Sequence, residues 1–168
     1  MKFFITKAKE EDLEGINKVT EVTWVNTYPS DEFGISVNDI KEIDFHNKEK
    51  EKKYKKLLKD KECGAWVVKS ENEVVGFCKA SKKEGILKIN AIYVLPKFQG
   101  KRIGKSLIEK SLNWIGSGEV QVLVAVHNKQ AIAFYEKFGF EKVSDVKIEE
   151  WYKLPSGKLF PIILMVKQ

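Results

Sequence analysis

One stretch constrains the chain more than any other: Gln99-Gly100-Lys101-Arg102-Ile103-Gly104-Lys105. An apolar run, Ile89, Ala91, Ile92, Tyr93, Val94 and Leu95, precedes it. Ile103, Leu107, Ile108, Leu112 and Ile115 follow at helical spacing. The segment therefore reads as strand, short basic turn, helix. The first amides of a helix lack intrahelical partners and carry the positive end of the macrodipole. Glycines let a ligand approach the backbone, and Lys101, Arg102 and Lys105 add cations, so the turn suits a phosphate. It is neither a Walker loop nor the Gly-x-Gly-x-x-Gly dinucleotide turn, because the required Lys-Ser/Thr and glycine spacings are missing. An ordinary strand-to-helix turn with solvated lysines has the same composition.

The chain has 168 residues, enough for one domain with a full core, and 43% apolar residues, which excludes a disordered chain. No apolar run reaches the roughly 20 residues of a membrane helix. Met1-Lys2-Phe3-Phe4-Ile5 runs straight into charges, so no signal peptide is read. A cytoplasmic protein without a membrane partner is the expectation. Cys63 and Cys78 form neither a metal spacing nor a disulfide framework, so no metal is expected. Cys78 lies in an apolar run, as a packed thiol would. The formal charge of +6 favours anionic partners without naming one. Much of the charge lies between Lys48 and Lys61, where Tyr54, Leu57 and Leu58 have helical spacing, the pattern of a solvated amphipathic helix. Basic residues are not interleaved with aromatics, so nucleic acid is not an expected partner.

Along the chain, Phe3–Ile5 opens a strand, and a helix from Glu10 runs to about Asn26. Pro29 and Gly34 mark a loop. Ser36 or Asn38 then caps a helical segment that continues into Lys48–Lys61. Strands are expected at Ala65–Lys69, Val74–Ala80 and Ile86–Leu95, with turns at Glu71-Asn72 and Glu84-Gly85. The basic turn and its helix follow, then a strand at Val120–Val126. Asn128 caps a helix whose face is read as Ala131, Phe134, Tyr135 and Phe138, with Gly139 at its C-terminus. Phe140–Ile148 reads as a strand, Glu149–Gly157 as a loop, and Phe160–Val166 as the last strand. Interleaved helices and strands, three of the strands hairpin-linked, give an α/β class with a mixed sheet and helices on its faces.

In this order of elements the chain resembles the GCN5-related N-acetyltransferases (GNAT). Ile92-Tyr93-Val94-Leu95-Pro96 leading into Gln99-Gly100-Lys101-Arg102-Ile103-Gly104 is similar to their pyrophosphate loop, Arg/Gln-x-x-Gly-x-Gly/Ala. Asn128-Lys129-Gln130-Ala131-Ile132-Ala133-Phe134-Tyr135-Glu136-Lys137-Phe138-Gly139-Phe140 is similar to their Asn-x-x-Ala-x-x-Phe-Tyr-x-x-x-Gly-Phe motif. Arg102 departs from the pattern, since relatives often have glycine there. The resemblance implies a single domain over residues 1–168 with a mixed sheet splayed in the middle. Its cofactor would be acetyl-CoA, lying in the V between the Ile86–Leu95 and Val120–Val126 strands. Ile92, Tyr93 and Val94 would pair with the pantetheine arm. Gln99, Gly100, Lys101, Arg102, Ile103, Gly104 and Lys105 would hold the pyrophosphate, and Asn128, Phe134 and Lys137 would meet other parts of the cofactor. A homodimer is common among relatives.

Acetyl transfer to an amine needs a neutral nucleophile, a polarised thioester carbonyl and a protonated leaving thiolate. By resemblance, Tyr135 is the proton donor and the Val94 amide the polariser. A phenol of pKa ≈ 10 stays protonated at neutral pH, as a donor must. The same residue could equally be a core aromatic of an amphipathic helix. No base stands out: the long central strand offers Lys88 and Asn90, whereas Glu84, Asp31, Glu149 and Glu150 lie in turns and loops. A water relay would serve as well.

By resemblance, the acceptor meets Trp24-Val25-Asn26-Thr27-Tyr28, Asp31-Glu32-Phe33 and Glu149-Glu150-Trp151-Tyr152. Aromatics and acids suit a cationic amine. Trp24 and Tyr28 could instead be helix-packing residues. The Trp-x-x-Thr-Tyr stretch also resembles polyamine acetyltransferases of the PaiA kind. A polyamine or other small primary amine is therefore the first acceptor class, and a protein or peptide amine the second. A non-catalytic acyl-CoA sensor is the reading from a different class.

Overall fold

The computed structural model of the chain describes residues 2–143 and 151–168, the side chain of Trp151 excepted. In chain order its first elements are β1 (Phe4–Lys7), α1 (Leu13–Thr27), α2 (Val37–Lys41), α3 (Lys48–Lys59), β2 (Cys63–Ser70), β3 (Glu73–Lys83) and β4 (Ile86–Val94). They are followed by α4 (Ile103–Ile115), β5 (Val120–Ala125), α5 (Lys129–Glu136), β6 (Glu141–Lys142), β7 (Trp151–Lys153) and β8 (Leu159–Lys167). The class is α/β. The chain forms two compact units, one of Met1–Thr23 with Asp44–Ser117, the other of Trp24–Ile43 with Gly118–Gln168. No described helix is long and apolar enough to cross a membrane.

In the first unit β1, β2, β3 and β4 form an antiparallel sheet in that order. Alternation along β3 sends neighbours to opposite faces. The Cys78 thiol lies 3.6 Å from the Leu107 carbonyl of α4, to which it donates. Lys79 Nζ sits 5.8 Å from the centre of the Tyr54 ring of α3. Helices thus cover both faces of this sheet. Val67, Val68, Val75, Phe77, Ile89, Leu107 and Ile108 are each at most 1% exposed, and burying such a side chain stabilises by about 1.5–3 kcal/mol. Between the pairs Lys79↔Ala91 and Ala80↔Ile89 the register skips Asn90, a bulge that bends β4 a few residues before its C-terminal end.

The expected single helix from Ser36 to Lys61 is two helices. Ser36 caps α2 and Asn47 caps α3, its side-chain oxygen accepting from the Lys50 amide at 2.9 Å. Between them the Asp44 carboxylate accepts from the His46 amide, and Asn47 Nδ2 donates to the Asp44 carbonyl, each at 2.9 Å. These local bonds compete with helix and break it. In α3 Tyr54 points inward at 4% exposure, while Glu49–Lys53 and Glu51–Lys55 pair on the solvent side.

In the second unit β8 pairs antiparallel with β5, β6 and β7. The sequence reading of Glu149–Gly157 as loop is corrected: Trp151–Lys153 is a strand, registered Trp151↔Pro161 and Lys153↔Leu159. Tertiary pairing supplies the partner that so short a run does not advertise. The expected strand Phe140–Ile148 is seen only as Glu141–Lys142, and residues 144–148 lie outside the described residues. The buried face of α5 is Ile132 and Tyr135, rather than Ala131, Phe134 and Phe138 with Tyr135, because Ile132 turns inward. Asp39 of α2 accepts from Lys158 Nζ at 2.7 Å and from the Ser36 hydroxyl at 2.6 Å. These bonds, Lys158 first, hold its carboxyl well below the usual carboxylate range.

Candidate functional site

In the first unit β4 is the outermost strand, with Ile92, Tyr93 and Val94 paired to Cys78, Phe77 and Gly76 of β3. A Cβ on Gly76 would come within 3.0 Å of the Tyr93 carbonyl oxygen, so glycine lets β3 press against the end of β4. The strand stops at Pro96, where residues Pro96–Phe98 make one 3₁₀ turn. Gln99 then reaches back: its Nε2 donates to the Val94 carbonyl at 3.1 Å. Sequence reading assigned Gln99 to the pyrophosphate, but its side chain also ties the turn to the strand. Gly100 has φ +75° and Arg102 φ +62°, both left-handed. Helix α4 starts at Ile103, whose side chain is buried and anchors the turn. The amides of Ile103, Gly104 and Lys105 open the helix and have no intrahelical acceptor. Lys101 Nζ lies 5.1 Å from the Phe98 ring centre, and Lys105 lies 3.6 Å from Glu109.

Arg102 is the N-cap of α4 and makes no side-chain capping bond. A non-glycine residue held left-handed costs about 1–2 kcal/mol, and such strain persists where the residue has a task. Replacing Arg102 by Gly is expected to raise stability by roughly 0.5–1 kcal/mol, net of glycine's larger chain entropy. Because the GNAT resemblance implies that this turn holds the cofactor's pyrophosphate, the same change is expected to weaken coenzyme A binding about tenfold, the size of one lost charge-assisted hydrogen bond. Thermal unfolding beside calorimetric titration with coenzyme A reads both effects.

In the second unit Asn128 is the N-cap of α5, its Oδ1 accepting from the Ala131 amide at 3.0 Å. Gly139, at φ +82°, ends the helix, and the Phe140 amide donates to the Tyr135 carbonyl at 3.1 Å. Tyr135 is 6% exposed and packs edge-on against Phe140 with ring centres 5.4 Å apart. Phe134 is half-buried and meets Phe138 at a tilt, ring centres 5.1 Å apart, while Lys137 is exposed at the helix end. Chain order thus brings Asn128, Phe134, Tyr135 and Lys137 onto one short helix.

The same unit holds an aromatic cluster. Trp24 lies 4.5 Å from Tyr28 and 5.2 Å from Tyr152 between ring centres. Phe160 stacks on Tyr28 and on Tyr152, 5.3 Å from each. The segments read as acceptor-facing, around Trp24 and Tyr28 and around Tyr152, are therefore joined. Glu149 and Glu150 lie outside the described residues, and Asp31 and Glu32 are exposed. Sequence reasoning missed two members. Phe160 looked like strand filling, and His127 drew no notice, although a lone histidine between an apolar strand and an N-cap was a signal. His127 is ringed by Phe33 at 5.5 Å, Phe160 at 5.3 Å and Tyr28 at 6.0 Å. Burial pushes its imidazole below the usual histidine range. In the first unit, burial pushes the Cys78 thiol up to about 12, so this packed thiol is no nucleophile at neutral pH.

The family model described as Acetyltransferase (GNAT) family matches residues 24–140. An uncharacterised N-acetyltransferase of Methanocaldococcus jannaschii is 36% identical over 104 residues, which cover 56% of this chain and 46% of that protein. The chain thus spans about half the length of that relative. The peptidyl-lysine N-acetyltransferase YjaB of Salmonella typhimurium is 28% identical over 106 residues, 62% of this chain and 66% of that protein. Among solved structures, the PaiA N-acetyltransferase of Thermoplasma acidophilum, in complex with coenzyme A, superposes with a TM-score of 0.76 at 23% identity. That likeness covers 100% of this chain and 99% of the other, and it shows the fold.

Proposed function

Because the chain belongs to the acetyltransferase (GNAT) family, we propose that residues 1–168 form one catalytic domain that moves an acetyl group from acetyl-CoA to a primary amine. The first acceptor class is a polyamine or other small amine. The observation that carries the acceptor reading is the contiguous cluster of Trp24, Tyr28, Tyr152 and Phe160. Aromatic faces stabilise an ammonium ion, and the exposed Asp31 and Glu32 next to Phe33 add negative charge. A protein whose name gives it a polyamine acceptor, the SpeG spermidine N-acetyltransferase of Vibrio cholerae, shares the fold.

The donor residues are those of the basic turn and of the strand before it. The amides from Gln99 to Lys105 and the charges of Lys101, Arg102 and Lys105 hold the pyrophosphate. The backbone of Ile92, Tyr93 and Val94 pairs with the pantetheine, and the Val94 amide polarises the thioester carbonyl. Asn128, Phe134 and Lys137 are further cofactor residues, and Tyr135 is the general acid to the departing sulfur. The relative named as a peptidyl-lysine N-acetyltransferase favours a peptide lysine as the second acceptor class.

A thiol-release assay with acetyl-CoA tests the reading, with spermidine, spermine, small monoamines and lysine peptides as acceptors. Turnover is expected on the polyamines, with kcat/KM at least about tenfold above that on peptides, a difference of ~1.4 kcal/mol in transition-state binding. Turnover on peptides alone moves the acceptor to protein. Tight coenzyme A binding without turnover on any amine replaces the enzyme with a sensor.

A further inference from the structure

His127 follows β5 directly and precedes Asn128, the cap of the helix that carries Tyr135. Both of its ring nitrogens are shielded, and among the described residues neither makes a well-formed hydrogen bond, the Tyr28 backbone facing the ring without one. A buried polar ring so weakly partnered is costly and calls for a reason. The chain has two histidines, and the other, His46, is exposed beside Glu21 in the first unit. The surroundings of His127 set its charge. Burial and, more weakly, Lys129 of α5 disfavour the imidazolium, while the Tyr28 backbone and Glu32 favour it. Phe160 of β8 adds an apolar ring. Burial is the largest of these effects, so the ring is neutral at pH 7 and one nitrogen carries a free lone pair.

We propose that His127 is the catalytic base of this chain, taking a proton from the acceptor ammonium among the rings of Tyr28, Phe33 and Phe160. This rests on the acetyltransferase reading. Among the described acids, Asp31, Glu32 and Glu84 are exposed. Of the three rings around the imidazole, Phe33 is half-buried and lies on a turn whose Asp31, Glu32 and Gly34 are exposed, the side nearest to solvent. The step balances. One ammonium proton passes to the imidazole nitrogen, and the freed lone pair forms the N–C bond. The C–S bond breaks with its electron pair going to sulfur, which takes the Tyr135 proton. A second nitrogen proton is lost as the amide forms and restores the phenol, and His127 returns its proton to water. An ammonium and acetyl-CoA give an amide, a thiol and one proton.

The test is the pH dependence of kcat, at saturating amine and acetyl-CoA, for the wild type and His127→Gln. The wild type is expected to lose activity on an acid limb with a midpoint below the usual histidine range. The variant is expected to lack that limb and to run about 100-fold slower at pH 7, the effect of removing a general base, with KM for acetyl-CoA within about twofold. An active wild type matched by the variant, or a variant that keeps the acid limb, overturns the base role alone. A wild type that transfers no acetyl group overturns the enzymatic reading and the base role with it. Should His127→Gln fail to fold, ¹³C-histidine NMR of the otherwise native chain decides, with His46→Gln assigning the two signals. The His127 signal must titrate with the midpoint of the acid limb, and a mismatch overturns the proposal.

Discussion

Replacing Tyr135 by Phe is expected to lower kcat by about 10²- to 10⁴-fold, the range for a lost proton donor, while KM for acetyl-CoA stays within about twofold. The change is chosen because it removes one oxygen and leaves the packing. The Tyr135 ring is 6% exposed and meets Phe140 edge-on at 5.4 Å, a contact that Phe retains. Helix α5 is held independently by the Asn128 cap and the Gly139 stop. Its position should therefore survive, and thermal unfolding should shift by no more than a few degrees. A thiolate with a reference pKa near 8.5 is a fair leaving group without help. If kcat stays within about threefold of the wild type, the thiolate departs unassisted and the phenol only fills space. Steady-state kinetics in both substrates, with a melting curve, separates the two.

Replacing Leu107 by Ala is expected to destabilise the chain by about 2–5 kcal/mol, the range for a fully buried leucine that leaves a cavity. Leu107 has no exposure and lies one turn into α4, where its carbonyl receives the Cys78 thiol from β3. With typical domain stabilities of about 5–15 kcal/mol, that loss is a large share of the total. It has a functional reach as well. The amides expected to hold the pyrophosphate open the same helix, and their aim depends on how α4 seats on the first sheet. Coenzyme A binding should thus weaken in the variant even at temperatures where it remains folded. Urea unfolding gives the first number and calorimetric titration the second. A loss below about 1 kcal/mol would mean that Ile103, Ile108 and the sheet close the gap, all three elements being buried there.

Much of the candidate site's framework was legible because it is local. The strand ending at Pro96, the left-handed Gly100, the helix beginning at Ile103 and the cap at Asn128 are each dictated within a few residues, by chain sterics and by where backbone donors find acceptors. The break between α2 and α3 was just as local, but Asp44 and Asn47 act through side-chain bonds to the backbone that hydrophobic periodicity does not register.

The sequence by itself determined the α/β class, the basic turn after β4 and the helix that carries Tyr135, since periodicity, turn chemistry and capping act over a few residues. Only the tertiary structure decided which side chains meet. It paired β7 with β8, set Lys158 against Asp39 across 119 positions, and closed Phe33, Tyr28 and Phe160 around His127. The Lys158–Asp39 pair and the rings around His127 join residues far apart in the chain. Their energy comes from burial and desolvation, which depend on what surrounds a residue in space rather than on its neighbours in sequence.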